Sequence, residues 1–175
     1  MNRNLYKVGL GPLMDAQRIH ENLAHLIGTE PPFDVKSVAE HFGLAVDAYP
    51  FRSIPGCLVA LGPGLGYAIG VNRRHSRERR RWTLAHELYH YLEHRHHVDV
   101  LVCSEAPPPE MVQREDEANV FAAELLMPEP WVRYLWGGHV GRCAEGFCVS
   151  ATAMRRRLEE LSIVRRGSRG RVGDR

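Results

Sequence analysis

Residues 86–90 read His-Glu-Leu-Tyr-His, a spacing that can hold a metal ion and activate water beside it. Residues four apart on a helix lie about 6 Å apart along the axis and about 40° apart around it, so the imidazoles of His86 and His90 can converge on one ion. Glu87 lies about 100° round from His86, outside the coordination sphere but within reach of a water on the ion. A carboxylate there can take the proton when that water attacks a carbonyl, then pass it to the departing amine. The motif therefore predicts a metal-dependent hydrolase with Glu87 as its base.

Such a site needs a third protein ligand, and the histidines that follow are poor candidates. His94 would lie about 9 Å along the axis from an ion centred between His86 and His90, so one straight helix cannot offer all three. His96 stands six residues beyond His90, the metzincin spacing, but no glycine turns the chain between them. We therefore expect His94, His96 and His97 to be chiefly surface or supporting residues.

A carboxylate from a second helix is a better candidate for the third ligand. The stretch QREDEANVFAAELLMP offers four carboxylates: Glu115, Asp116, Glu117 and Glu124. The expected buried stripe of this helix is defined by Ala118, Phe121, Ala122 and Leu125. Glu115 borders that stripe on one edge and Glu117 on the other. A carboxylate half-buried against a core is costly unless it is paired or bound to a cation, so either is a candidate and helical geometry does not choose.

The elements that must position these residues follow from the spacing of apolar residues. Helical spacing predicts helices over residues 14–27, 35–42, 76–94, 110–126, 131–136 and 151–164. Asp34 and Ser150 precede two of these helices and are suited to cap them. Apolar runs at 57–61 and 67–71 flank Gly-Pro-Gly-Leu-Gly and predict a β-hairpin, whereas a phosphate-binding loop would need a following helix that opens with Lys-Ser/Thr. The pattern predicts an α+β chain, with helices around a small antiparallel sheet.

Composition limits the classes of protein to consider. The 175 residues suit one domain, or one domain with a small appendage, and a formal net charge of +2 is too small to predict nucleic-acid binding by itself. The start lacks the apolar segment of a signal peptide, and no apolar run approaches the roughly 18 residues of a membrane span. The four cysteines form no Cys-x-x-Cys motif. We therefore expect a cytoplasmic protein with free thiols.

Several stretches together resemble the ImmA/IrrE metallopeptidases. These are RRRWTLAHELYHYLEH and DEANVFAAELLMP, with FDVKSVAEHFGLAV before them and VSATAMRRRLEEL after them, so that the resemblance covers residues 34–164. It implies a zincin-like, gluzincin-type core in which His86 and His90 bind zinc and Glu87 is the catalytic base. It also implies that Glu117, directly before Ala-Asn, is the third ligand, with Glu115 as the alternative. A water would take the fourth position, and manganese could replace zinc.

The resemblance further implies a zinc-dependent endopeptidase that cuts a helix-turn-helix (XRE-type) repressor at one site. Cleavage would relieve repression in a stress response or in mobile-element control. The expected organisation is a peptidase domain over residues 1–140, a helix-turn-helix-like segment over 141–166 and a disordered basic tail over 167–175. This would be a short form without a sensory domain, so any signal would come from a partner, a small ligand or metal availability.

Three questions stay open at this level. Tyr89 stands where relatives usually carry a small residue, and the group that steadies the oxyanion could be Tyr89, Tyr134, His139 or an arginine. The arginines at 155–157 could meet DNA phosphates, although the amphipathic pattern of their helix favours packing or partner docking. The alternative function is a non-proteolytic regulatory or toxin–antitoxin module that keeps the metal site but grips a repressor or DNA.

Overall fold

A computed structural model describes residues 15–94, 100–102 and 109–165. Its first half contains helices α1 (Ala16–Asn22), α2 (Ala24–Ile27) and α3 (Val35–His41), then strands β1 (Leu44–Tyr49), β2 (Gly56–Ala60) and β3 (Tyr67–Asn72). The second half contains α4 (Arg77–His94), β4 (Val100–Val102), a 3₁₀ turn (Pro109–Met111), α5 (Val112–Leu126), α6 (Glu129–Leu135), α7 (Val140–Phe147) and α8 (Ala151–Glu160). The α+β prediction is confirmed, and the helix predicted over 14–27 is two helices that divide at Leu23. The tail predicted over 167–175 lies outside the described residues.

The four described strands form one mixed sheet in the order β1-β3-β2-β4. The predicted hairpin is confirmed, since β2 and β3 pair antiparallel, and β4 pairs antiparallel with β2. β1 instead lies parallel to β3, so the expectation of a purely antiparallel sheet is corrected. The chain can enter β1 directly from α3 because Gly43 takes φ +81°, a backbone conformation that side chains disfavour.

The long helix α4 lies at the centre of the molecule. It packs on β2 and β3 on one side and against α5 and α3 on others. Leu84, Ala85, Leu88 and Tyr91 are buried, and Thr83, His86, Glu87 and His90 are buried as well. Over residues 83–91 the helix is therefore enclosed nearly all round, and the polar residues of the His-Glu motif lie inside the protein.

The cap of α3 gives a first testable prediction. The carboxylate of Asp34 accepts hydrogen bonds from the backbone N–H groups of Lys36 and Ser37 and from the Ser37 hydroxyl. Asp34→Ala should lower the free energy of unfolding by about 1 kcal/mol in urea titrations at neutral pH, the usual value of such a cap. Glu40→Ala, an exposed change on the same helix, is the control and should alter stability by less than about 0.5 kcal/mol.

The cap should also be sensitive to acid. Burial alone would raise the pKa of Asp34, but the hydrogen bonds from Ser37 and Lys36 outweigh it and the pKa is lowered. A lowered pKa means that the stabilisation is present above the unfolded-state value of about 3.9 and is lost as pH falls through the folded-state value. The difference between wild type and Asp34→Ala should therefore shrink in acid, and a difference that grows there would contradict this account.

Candidate metal centre

Two imidazoles and a carboxylate meet where α4 packs against α5. His86 and His90 come from successive turns of α4, and Glu115 comes from the first turn of α5. Nε2 of His86 lies 3.1 Å from Oε2 of Glu115, and Nε2 of His90 lies 3.3 Å from Oε1. The two Nε2 atoms are 3.1 Å apart. All three side chains are buried, so the donor atoms converge inside the protein rather than at an exposed surface.

The charges of these groups depend on one another. Burial alone would raise the pKa of Glu115, but the hydrogen bonds with His86 and His90 lower it to about 2. Burial lowers the pKa of His90, and the nearby Glu115 only partly opposes this effect. The arrangement therefore favours an ionised carboxylate facing an imidazole that readily gives up its proton, which is the form in which both bind metals.

Glu87 adds a second carboxylate with no described partner. It is fully buried, and among the described residues no group donates a hydrogen bond to either of its oxygens. Burial raises its pKa well above the ordinary value, and the negative charge of Glu115 raises it further. Burying two carboxylates this close together is costly unless one of them is protonated or a cation offsets their charge.

A divalent cation fits this donor set. Ligand atoms around a tetrahedral zinc, with bonds of about 2.0–2.1 Å, lie about 3.3 Å from one another. The separations of 3.1–3.3 Å between Nε2 of His86, Nε2 of His90 and the Glu115 carboxylate match that value. Two imidazoles, which can bind in their neutral form, and one carboxylate are also the protein ligands of hydrolytic zinc sites. His86, His90 and Glu115 could therefore bind a metal ion.

Gly56, which no sequence pattern singled out, lets β2 approach α4 beside Glu87. A Cβ at this position would lie 2.4 Å from Cγ2 of Thr83 and 2.7 Å from the backbone oxygen of Gly70, both far inside contact distance. It would lie 3.6 Å from Oε1 of Glu87. Asn72 holds the preceding loop in place by donating hydrogen bonds to the backbone oxygens of Phe51 and Ile54. The close approach is part of what buries the Glu87 carboxylate.

Glu117, the ligand expected from the resemblance, is not brought to this cluster. Its side chain is exposed and accepts hydrogen bonds from the Tyr89 hydroxyl and from Nε2 of Gln113, both at 2.9 Å. The reason lies in the width of the buried face of α5, which includes Ala123 and Leu126 as well as the predicted stripe. At about 100° per residue, Glu115 then lies about 40° from the centre of that face and Glu117 about 120°. The alternative named from the sequence, Glu115, is the carboxylate that faces the imidazoles.

Of the other expected site residues, Tyr89 packs its ring edge-on against the imidazole of His90, with centroids 5.9 Å apart, whereas Tyr134 and His139 lie elsewhere. The Tyr89 hydroxyl points to Glu117, and its pKa is raised by burial and by that hydrogen bond. Tyr134 is 77% exposed and packs edge-on against Trp131, whereas His139 is exposed at the start of α7. Neither Tyr134 nor His139 lines the cleft between α4, α5 and α8 that opens onto His86. The side chains of His94, His96 and His97 lie outside the described part of the chain.

A cleft of about 1100 Å³ opens onto His86 and Glu115 between α4, α5 and α8. Most of the residues that line it were not predicted from the sequence. They include Trp82 and Thr83 from α4, Asn119 and Val120 from α5, and Ser150, Thr152, Arg156 and Arg157 at and within α8. No local pattern could have identified them, because α8 is distant in sequence from both other walls. The cleft is large enough to admit a peptide segment to the buried cluster.

The arginines of α8 are not arranged as a single exposed face. Arg157 is buried, and its Nε donates a hydrogen bond to the backbone oxygen of Met127 at 3.1 Å while its guanidinium lies 3.6 Å from Glu160. Arg156 is exposed in the cleft, and Arg155 is exposed outside it. Met154 and Leu158 are buried in the core. α8 therefore packs on the same hydrophobic core as α4 and α5, as its amphipathic pattern favoured.

Comparisons with known proteins identify the family of the chain and a solved structure of similar fold. The family profile of the IrrE N-terminal-like domain (Peptidase_M78) matches residues 39–159, which confirms the resemblance to ImmA/IrrE peptidases. A solved structure titled Mycobacterium tuberculosis transcriptional regulator is similar in fold, with a TM-score of 0.50 and 18% sequence identity. The match covers 71% of this chain and 39% of that one. A search of curated proteins gave no significant match. Over the described residues, none of the helices has the length and apolar character needed to cross a bilayer.

Proposed function

Because the chain belongs to the family of the IrrE N-terminal-like domain, we propose that it is a zinc-dependent endopeptidase. One observation carries the proposal: a buried His-His-Glu cluster lies beside a second buried carboxylate that has no hydrogen-bond donor among the described residues. Three protein ligands leave the fourth position open to a water, as in catalytic zinc sites, whereas structural sites are closed by four protein ligands. His86, His90 and Glu115 would hold the ion. Bound there, zinc would supply Lewis acidity toward a water and a peptide carbonyl.

The protein's own groups then perform the remaining steps. Glu87 would accept a proton from the attacking water and return it to the departing amine, and burial raises its pKa, which makes the ionised carboxylate a stronger base. The surrounding core excludes bulk water from the carboxylate, which strengthens its electrostatic interactions. The cleft between α4, α5 and α8 would hold the peptide chain, with Trp82 and Val120 among its apolar contacts.

We propose a helix-turn-helix repressor as the substrate, on the strength of the family resemblance. In the test, the purified protein is mixed with the repressor encoded beside it in three parallel reactions, which contain zinc, manganese or a chelator. Cleavage at one site should give one new pair of fragments, whose masses sum to that of the repressor plus one water. If the zinc-loaded protein leaves the repressor intact but still releases it from DNA, the non-proteolytic binding module is the better account.

A further inference from the structure

We propose that Arg156 selects substrates by binding an acidic side chain of the peptide in the cleft. The inference rests on the proposed peptidase function and adds a preference that neither the motif nor the metal ligands supply. It concerns where a substrate is cut, because a charge contact in the cleft that reaches His86 would fix the register of the peptide relative to Glu87. Arg156 would be a specificity residue, with no part in the chemical step.

The position of Arg156 supports this role. It lies on α8 one turn beyond Thr152 and Ala153, and all three line the cleft that reaches His86 and Glu115. Its side chain is exposed there. Because Met154 and Leu158 anchor α8 in the core, the helix holds Arg156 on the cleft wall rather than on a mobile segment. A peptide that reaches the buried cluster from this side passes along the same wall.

The pairing of the charges in the cleft also distinguishes Arg156 from its neighbours. Arg157 is already bonded to the backbone oxygen of Met127 and lies close to Glu160. Within the described part of the chain, no hydrogen bond or ion pair is found for Arg156, although Glu78 and Asp116 line the same cleft. Its guanidinium therefore keeps its donors available for a ligand, and a carboxylate is the group that matches their planar geometry best.

The acidic residues of the cleft make the expected preference local. Glu78 and Asp116 disfavour a peptide carboxylate near them on the walls formed by α4 and α5, and Arg79 of α4, which also lines the cleft, already interacts within the protein. Arg156 is the arginine of the α8 wall that keeps its donors available, so a carboxylate is favoured where it can reach Arg156. We therefore expect one subsite that prefers Asp or Glu, with neutral or basic residues accepted at the others.

Cleavage profiling tests the inference. Zinc-loaded wild type, Arg156→Gln and Arg155→Gln would each digest the same proteome-derived peptide library, and mass spectrometry would give the residues around every cut. Wild type and Arg155→Gln should enrich Asp or Glu at one subsite, and Arg156→Gln should lose that enrichment. For a matched pair of peptides with Glu or Gln at the subsite, Arg156→Gln should lower kcat/KM about tenfold or more for the Glu peptide, mainly through KM. It should leave the Gln peptide nearly unchanged.

A binding measurement keeps this inference separate from the peptidase proposal. The zinc-loaded Glu87→Gln protein, with and without Arg156→Gln, would retain peptides from the same library, and the retained fractions would be sequenced. Retention enriched in acidic peptides that depends on Arg156 supports the inference even if wild type cuts nothing, and in that case only the peptidase proposal fails. Equal acidic content with and without Arg156 overturns the inference, whether or not cleavage occurs.

Discussion

Glu115→Gln is expected to weaken zinc binding by at least about a hundredfold, since loss even of groups outside the coordination sphere costs ten- to a hundredfold. The substitution keeps the shape of the side chain but removes the charge that faces Nε2 of His86 and His90. Zinc affinity would be measured by competition with a chromophoric chelator, and peptidase activity should fall with zinc occupancy.

Glu117→Gln is the matched control, because it makes the same chemical change two residues along the same helix. Its side chain contacts Tyr89 and Gln113 rather than the imidazoles, so zinc affinity should stay within about threefold of wild type. The opposite result, with Glu117→Gln losing zinc and Glu115→Gln keeping it, would contradict the assignment of the third ligand.

Glu87→Gln is expected to keep zinc and lose catalysis. Removing a positioned general base typically lowers kcat by about 10²–10⁴-fold, and that loss should be seen at full zinc occupancy. Because the carboxylate is buried without a described hydrogen-bond donor, the metal-free variant should be as stable as metal-free wild type or more stable. Lower stability together with zinc loss would instead indicate a structural role for Glu87.

Patterns among residues close together in the sequence predicted much of the fold. Asp34 lies before a short apolar-spaced run and caps α3, and Ser150 caps α8 by accepting a hydrogen bond from the backbone of Ala153. The hairpin followed from two β-like runs around a glycine-rich turn. The spacing of His86 and His90 placed both imidazoles on one helix. Each of these features depends on residues within a few positions of one another, which is why spacing was enough.

The features that were missed depend on packing between distant segments. β1 has only Leu44 fully buried, so its pattern is weak, and its parallel partner β3 begins 23 residues later. The choice between Glu115 and Glu117 required the full width of the buried face of α5, which is set by the elements packed on it. Ala123 and Leu126 belong to that face, and a predicted stripe wide enough to include them would have favoured Glu115.

The most direct test is a crystal grown with zinc and measured at the zinc absorption edge. We predict one strong anomalous peak within about 2.0–2.2 Å of Nε2 of His86, Nε2 of His90 and a carboxylate oxygen of Glu115, with Glu87 beside it but not bound. A pocket that stays empty in excess zinc, or a peak bound by Glu117 instead of Glu115, would contradict the account.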